Sequence, residues 1–290
     1  MSTAPANSAI ACATGGFKGV FLHGVLSAFE LAGFRAGAYA GASSSVLPAA
    51  AAAVGKSNNL GLDYWYQGRK ILEQPGLGMS QMILSGLEQF LPDLLPLLFR
   101  KVAPRFFITA SEVDPAVAQE IQGKGARRRG RKLLLEAARG DRGWVAAHLT
   151  ARLFDTESED KNYYLTAENF AQVAYASSRM LHAWDIPAWV GYRPFVDAYY
   201  TCACPAMELA EIGYERVIAI GTEPVLYQDI FQSEIIPGQW HHATIEVIGP
   251  DFDPGEFGVS YTTADDQGLK TVYSHGINKG VAFLYHNGWQ

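Results

Sequence analysis

Three short stretches of the 290-residue chain carry residue types that could do chemistry together. In Tyr39-Ala40-Gly41-Ala42-Ser43-Ser44-Ser45-Val46 a strand runs straight into an Ala-rich helix. The spacing is that of a G-x-S-x-G nucleophile elbow, with Ser45 in place of the last glycine. A strand that reverses sharply into a helix leaves no room for side chains near the bend. It also holds the turn residue in a strained backbone conformation with its hydroxyl pushed outward. The helix N-terminus that follows offers free N–H groups and a positive dipole end to a developing anion. Ser43 is therefore the candidate nucleophile. The same residues also describe a plain strand-to-helix turn with a serine N-cap, so the rest of the chain must decide.

The second stretch is Thr14-Gly15-Gly16-Phe17-Lys18-Gly19. As a phosphate cradle it fails, because neither G-x-x-x-x-G-K-[ST] nor G-x-G-x-x-G is present. Two adjacent glycines do let the main chain approach a ligand oxygen closely, as an oxyanion hole requires. A positive charge at Lys18 would favour the same anion, or the lysine is an ordinary solvated one. The third stretch, Phe195-Val196-Asp197-Ala198, ends a short extended segment in a carboxylate. Asp197 could be held at a strand end facing Ser43, or it could simply form a turn. The seven histidines sit in no recognisable motif, and each reads singly as structural or surface.

The elements that must position these residues follow from hydrophobic periodicity. Ala9-Ile10-Ala11-Cys12-Ala13 is an uncharged run suited to a buried strand. A helix with apolar Val20, Leu22, Val25, Leu26 and Phe29 follows the glycine turn, with Gly33 as its C-cap. Strand, turn, helix, strand and elbow within about fifty residues make a βαβ opening to a parallel sheet. Both strands then end at one sheet edge, which makes the glycine turn and the elbow neighbours. Further strands are expected over 105–110, 216–220 and 243–248, with helices over 165–176 and 268–280. Residues 60–104 read as greasy helices broken by Pro92 and Pro96, either core-covering or a lid and acyl-chain wall. The basic run over 123–142 reads as a solvated or flexible segment, with docking to anionic head groups, aided by Leu133, Leu134 and Leu135, as its functional alternative.

Composition narrows the partners. About half of the residues are apolar, and the net charge of −6 speaks against nucleic acid. Cys12, Cys202 and Cys204 cannot build a disulfide framework, and Cys202-x-Cys204 lacks further ligands at zinc spacing. No structural metal is expected. The first residues lack the basic segment and apolar run of a secretory leader, and no stretch is apolar enough to cross a bilayer. A cytoplasmic protein that touches membrane surfaces at most peripherally is the expectation. No internal repeat or linker is evident, so residues 1–290 are read as one domain.

Taken in order, Gly15-Gly16-Phe17-Lys18-Gly19, Gly41-Ala42-Ser43-Ser44-Ser45 and Val196-Asp197-Ala198 with Pro205 resemble the patatin-like phospholipase family. Ala176-Ser177-Ser178 before Pro187 is similar to the segment that precedes the family's aspartate. The likeness spans most of the chain, with a basic helical insertion at about 115–150. It implies a three-layer α/β/α patatin-like fold with a mainly parallel central sheet. It further implies a Ser–Asp dyad, Ser43 as nucleophile and Asp197 as base, with Gly15, Gly16, Phe17, Lys18 and Gly19 forming the oxyanion hole. No metal or organic cofactor is implied, and the substrate would be a phospholipid or another acyl ester. Thr14 stands where the family has a glycine, Lys18 where it has arginine, and Ser45 and Ala198 where it has glycines. Ala203 stands in place of an asparagine. Two other readings therefore stand beside a hydrolase: acyl transfer to an acceptor other than water, and a shell that binds lipid without turnover.

Overall fold

The computed structural model describes residues 7–224 and 237–288; the first six residues, read above for a leader, and Trp289 lie outside them. The βαβ opening forms as β1 (Ser8–Cys12), α1 (Val20–Leu31) and β2 (Ala38–Ala42), with the elbow leading into α2 (Val46–Ala53). Two long helical stretches follow, α3 (Ser57–Leu72), which kinks at Gly61, and α4 (Met79–Leu98), then β3 (Arg105–Val113). The middle of the chain contains α5 (Gly123–Ala137), α6 (Gly143–His148), β4 (Leu149–Asp155), α7 (Phe170–Ser177), β5 (Ala188–Val190) and β6 (Arg193–Val196). The last part adds α8 (Ala206–Ile212), β7 (Arg216–Ile220), β8 (Gly238–Trp240), β9 (Ala243–Ile248) and α9 (Asp266–His286).

The nine strands of the described residues all join one sheet. Its centre, β3-β2-β1-β7-β9, is parallel, and β4, β5, β6 and β8 pair antiparallel around it. Alternation along β1 shows why both faces are covered. Ile10 and Cys12 point into a large core under the helices that include α1 and α9, while Ala9, Ala11 and Ala13 point into a smaller one with Leu209 and Ala210 of α8. The protein is thus an α/β fold with helices on both faces of a mainly parallel sheet.

One detail of register positions the site. β4 covers one edge of β3 along Phe107–Val113, so β2 and β6 must share the opposite edge. β2 runs parallel to β3 and stops at Ala42 opposite Thr109. β6 arrives from the other direction and stops at Val196 opposite Ser111. The two strand ends meet head-on, and the next residue of each is Ser43 and Asp197.

Several expectations change. The helix read over 165–176 starts only at Phe170, because Thr166 and Asn169 exchange side-chain-to-backbone hydrogen bonds that hold a turn before it. Residues 79–98 form one continuous helix despite Pro92 and Pro96. Both prolines lie on its exposed side, where the carbonyls they leave unpaired can reach water. The strand at 105–110 extends to Val113, and β4 was not foreseen. The basic run is helical over Gly123–Ala137: Ala126, Gly130, Leu133 and Ala137 are buried, and Lys124, Arg127, Arg128, Arg131 and Lys132 are exposed. The three cysteines are free and buried. No helix among the described residues is long and apolar enough to cross a membrane.

Candidate active site

Ser43 has φ 55°, a left-handed conformation that is costly for a residue with a side chain. The bend closes tightly: a Cβ on Gly41 would lie 2.7 Å from Val46 Cα. Ser45 fixes the bend from inside. Its hydroxyl accepts from Ala42 N–H at 2.9 Å and lies 2.8 Å from Ala42 O and 2.9 Å from Cys12 O, so the elbow is tied to the neighbouring strand. In the place of a glycine, Ser45 thus brings its own anchor. The Ser43 N–H donates to Ser177 Oγ at 2.7 Å.

The three consecutive serines are now distinguished. Ser45 is occupied structurally, and Ser44 Oγ is buried with no hydrogen-bond partner among the described residues. Ser43 Oγ donates to Asp197 Oδ2 at 2.8 Å. Asp197 is fully buried. Its other oxygen accepts from Tyr199 N–H at 2.8 Å, its N–H donates to Arg179 O at 2.9 Å, and its carbonyl accepts from Ser111 Oγ at 2.7 Å. The carboxylate is held at both ends before any ligand arrives.

The glycine turn lies beside the elbow because β1 and β2 are parallel neighbours. Gly16 has φ 55°, and a Cβ there would sit 1.9 Å from Tyr261 O, so only glycine fits. A Cβ on Gly15 would meet Thr222 Oγ1 at 2.6 Å. The Phe17 N–H is used by Tyr261 O and the Lys18 N–H by Gly15 O. Gly15 and Gly16 keep N–H groups with no acceptor among the described residues, and both line the cavity over Ser43. Of the donors expected over Gly15, Gly16, Phe17, Lys18 and Gly19, the N–H groups of Phe17 and Lys18 are thus engaged elsewhere, and Phe17 contributes its side chain to the cavity wall.

Lys18 does not face an anion in the site. Its buried ammonium pairs with Glu223 and Asp253, each at 2.7 Å. Burial works against its charge, but the hydrogen bonds to Asp253 and Glu223 outweigh that and raise its pKa. The lysine clamps the turn to two distant loops. Thr222, which donates to Thr14 O at 2.6 Å, and Tyr261 do the same from other sides. No sequence signal marked Thr222 or Tyr261, since their roles depend on long-range packing. Ser177 was marked only as part of the Ala176-Ser177-Ser178 segment that the resemblance picked out, with no role assigned.

The cavity has a volume of about 320 Å³ and is mostly apolar. Ser43, Asp197, Gly15 and Gly16 line it together with Trp65 and Ile71 of α3 and Met82, Ile83 and Phe90 of α4. The greasy helices face two ways: Leu87, Leu91, Leu94 and Leu98 pack in the core, and Met82 and Phe90 line the cavity. His182 also lines it, with its pKa lowered by burial and by Arg131. His23 lies deeper. Its Nε2–H donates to Ser57 O, its Nδ1 accepts from Trp65, and burial lowers its pKa to about 4. Among the described residues no cluster of His, Cys, Asp or Glu could hold a metal ion.

No family model matches the chain, and no curated protein matches it. Among solved structures it is similar to VipD from Legionella pneumophila. That likeness has a TM-score of 0.45 at 13% identity and covers 98% of this chain and 67% of the other. The chemistry of the site rests on its own geometry. A hydroxyl on a strained turn, a fixed carboxylate within hydrogen-bond reach, and two spare N–H donors beside an apolar cavity are the parts an acyl-transfer centre needs.

Proposed function

We propose that the protein is a serine acyl hydrolase of the patatin type, cleaving phospholipids or other lipid acyl esters. The observation that carries this reading is the 2.8 Å hydrogen bond from Ser43 Oγ to Asp197 Oδ2 inside a mostly apolar cavity. In the first half-reaction Ser43 Oγ attacks the ester carbonyl carbon while Asp197 Oδ2 takes the hydroxyl proton. The tetrahedral oxyanion is held by the N–H groups of Gly15 and Gly16. As it collapses, the leaving alkoxide takes the proton from Asp197, and an acyl-Ser43 remains. Water then attacks the acyl carbon, Asp197 takes its proton, and collapse releases the acid and returns the proton to Ser43 Oγ.

A carboxylate with an ordinary pKa of about 3.9 is a weak base toward a serine. Its effectiveness here must come from position, burial and oxyanion stabilisation. The bonds from Tyr199 N–H and Ser111 Oγ supply the first, because they leave Oδ2 aimed at Ser43. Membrane substrates fit the placement of α5, which gives Leu134 to the cavity wall and leaves Lys124, Arg127, Arg128, Arg131 and Lys132 exposed.

The test is intact-mass analysis after treatment with a fluorophosphonate. Wild type should gain one adduct, which Ser43→Ala and Asp197→Asn both lose while remaining folded. Wild type acting on a lipid ester should then release free acid. An adduct that persists in Ser43→Ala would move the nucleophile elsewhere. Folded wild type with no adduct would favour a lipid-binding shell without turnover.

A further inference from the structure

Two glycines in the middle of helices face the cavity, and packing requires neither. Glycine is the least favourable helix residue after proline, so one kept in a helix interior calls for a reason. Most of the described helix glycines have one in close backbone contact. A Cβ on Gly24 would lie 2.2 Å from Tyr273 O, one on Gly276 2.0 Å from Phe21 O, and one on Gly130 2.4 Å from His182 N. Gly68 of α3 and Gly86 of α4 differ. A Cβ on Gly68 would come no closer than 3.4 Å to Met82 Sδ, and one on Gly86 no closer than 3.4 Å to Tyr64 Cε2. Those are ordinary van der Waals contacts with side chains, and neither glycine has a left-handed backbone.

Both glycines line the cavity that contains Ser43 and Asp197. α3 and α4 run antiparallel there, since Gly68 faces Met82 while Gly86 and Phe90 face Tyr64. Each glycine stands opposite a large side chain, and the room it leaves belongs to the cavity. Tyr64 and Ile83, each within one turn of a glycine, also share a small recess with Ser43. The helices thus forgo stability to keep an apolar slot open next to the reactive hydroxyl.

We propose that Gly68 and Gly86 set the acyl-chain length the enzyme accepts, the slot between α3 and α4 taking the hydrocarbon of a long chain whose carbonyl sits on Ser43. This rests on the acyl-hydrolase reading for its chemistry, though the slot itself can be tested without turnover. Each methyl placed in the slot displaces about one methylene of ligand. The loss is about fourfold in affinity per methylene excluded.

The experiment compares wild type, Gly68→Ala, Gly86→Ala and Gly86→Leu. In the alanine variants the melting temperature should rise by about 2 °C, because alanine is the better helix former and nothing clashes. The ratio of Ser43 labelling rates for dodecyl over ethyl fluorophosphonate should fall about fourfold in each alanine variant. In Gly86→Leu that preference should be abolished. Calorimetric binding of dodecanoate against hexanoate gives a readout independent of catalysis and should follow the same order. Wild type that binds dodecanoate, loses it in Gly86→Leu and labels with neither probe would overturn the hydrolase reading and leave the slot standing. A chain-length preference unchanged in Gly86→Leu, or no preference in wild type by either method, would overturn the slot.

Discussion

Ser43 and Asp197 reach each other from opposite directions along one edge of β3, both at the level of Ala110. β2 delivers Ser43 one residue past the Ala42–Thr109 pair, and β6 delivers Asp197 one residue past the Val196–Ser111 pair. Two groups 154 positions apart in sequence are thereby brought to 2.8 Å by the register of a single central strand. A strand fixes position better than a loop does, which is what a weak base acting by geometry requires.

Ser111 is the residue that transmits this register to the carboxylate, by donating to Asp197 O at 2.7 Å and bonding Thr201 Oγ1 at 2.8 Å. Ser111→Ala should cost about 1–2 kcal/mol of stability through the lost buried hydrogen bond. It should also slow fluorophosphonate labelling of Ser43 more than Thr201→Val does. Equal labelling rates in the two variants would assign Ser111 to stability alone.

Ser45 makes a different prediction. Its hydroxyl joins the elbow to Cys12 on β1 and to Ala42 on β2. Ser45→Ala should destabilise the fold by about 1–3 kcal/mol, because the buried Ala42 N–H loses its acceptor. Ser45→Gly should cost at least as much, since it adds backbone freedom to the same loss. Chemical denaturation measures both; a Ser45→Gly protein as stable as wild type would contradict the anchoring role.

His23 predicts an acid-side loss of stability. Burial holds it neutral in the folded state, with a pKa of about 4, against an unfolded value near 6.5. Below pH 6.5 the unfolded chain binds a proton that the folded one refuses. The contribution is therefore complete above pH 6.5 and lost progressively as pH falls to about 4, for about 3 kcal/mol in all. The difference in unfolding free energy between wild type and His23→Gln should shrink over this interval, and a difference flat in pH would show that His23 is not the group responsible.

The exposed basic side chains of α5 lie on the same helix as Leu134 of the cavity wall. Replacing Lys124, Arg127, Arg128, Arg131 and Lys132 by Gln should weaken co-sedimentation with vesicles containing phosphatidylserine. The wild-type affinity should fall with added salt, at about 1 kcal/mol per basic residue near the surface in low salt. Labelling of Ser43 by a water-soluble fluorophosphonate should be the same in both proteins, and vesicle binding that is also the same would remove the membrane role.

Much of the scaffold was legible in the chain. Short runs rich in β-branched and apolar residues, over 9–13, 216–220 and 243–248, suit buried strands, and the small residues around Ser43 suit a tight bend, so β1, β2, β7, β9 and the elbow are written locally. So is Ser43 as the residue at the bend, because only small neighbours tolerate it. Asp197 was visible as a carboxylate closing an apolar strand, and the family resemblance implied Ser43 as its partner, but the residues alone left a plain turn as the alternative, because the pairing depends on β6 sharing an edge of β3 with β2. The fate of Lys18 was equally hidden, since Glu223 and Asp253 lie more than 200 positions away and join it only when the loops pack. Local sequence specifies backbone conformation through steric and hydrogen-bonding preferences of neighbours. Which side chains meet in the cavity, and which N–H groups are left free there, is decided by the register and packing of elements that the chain joins only in three dimensions.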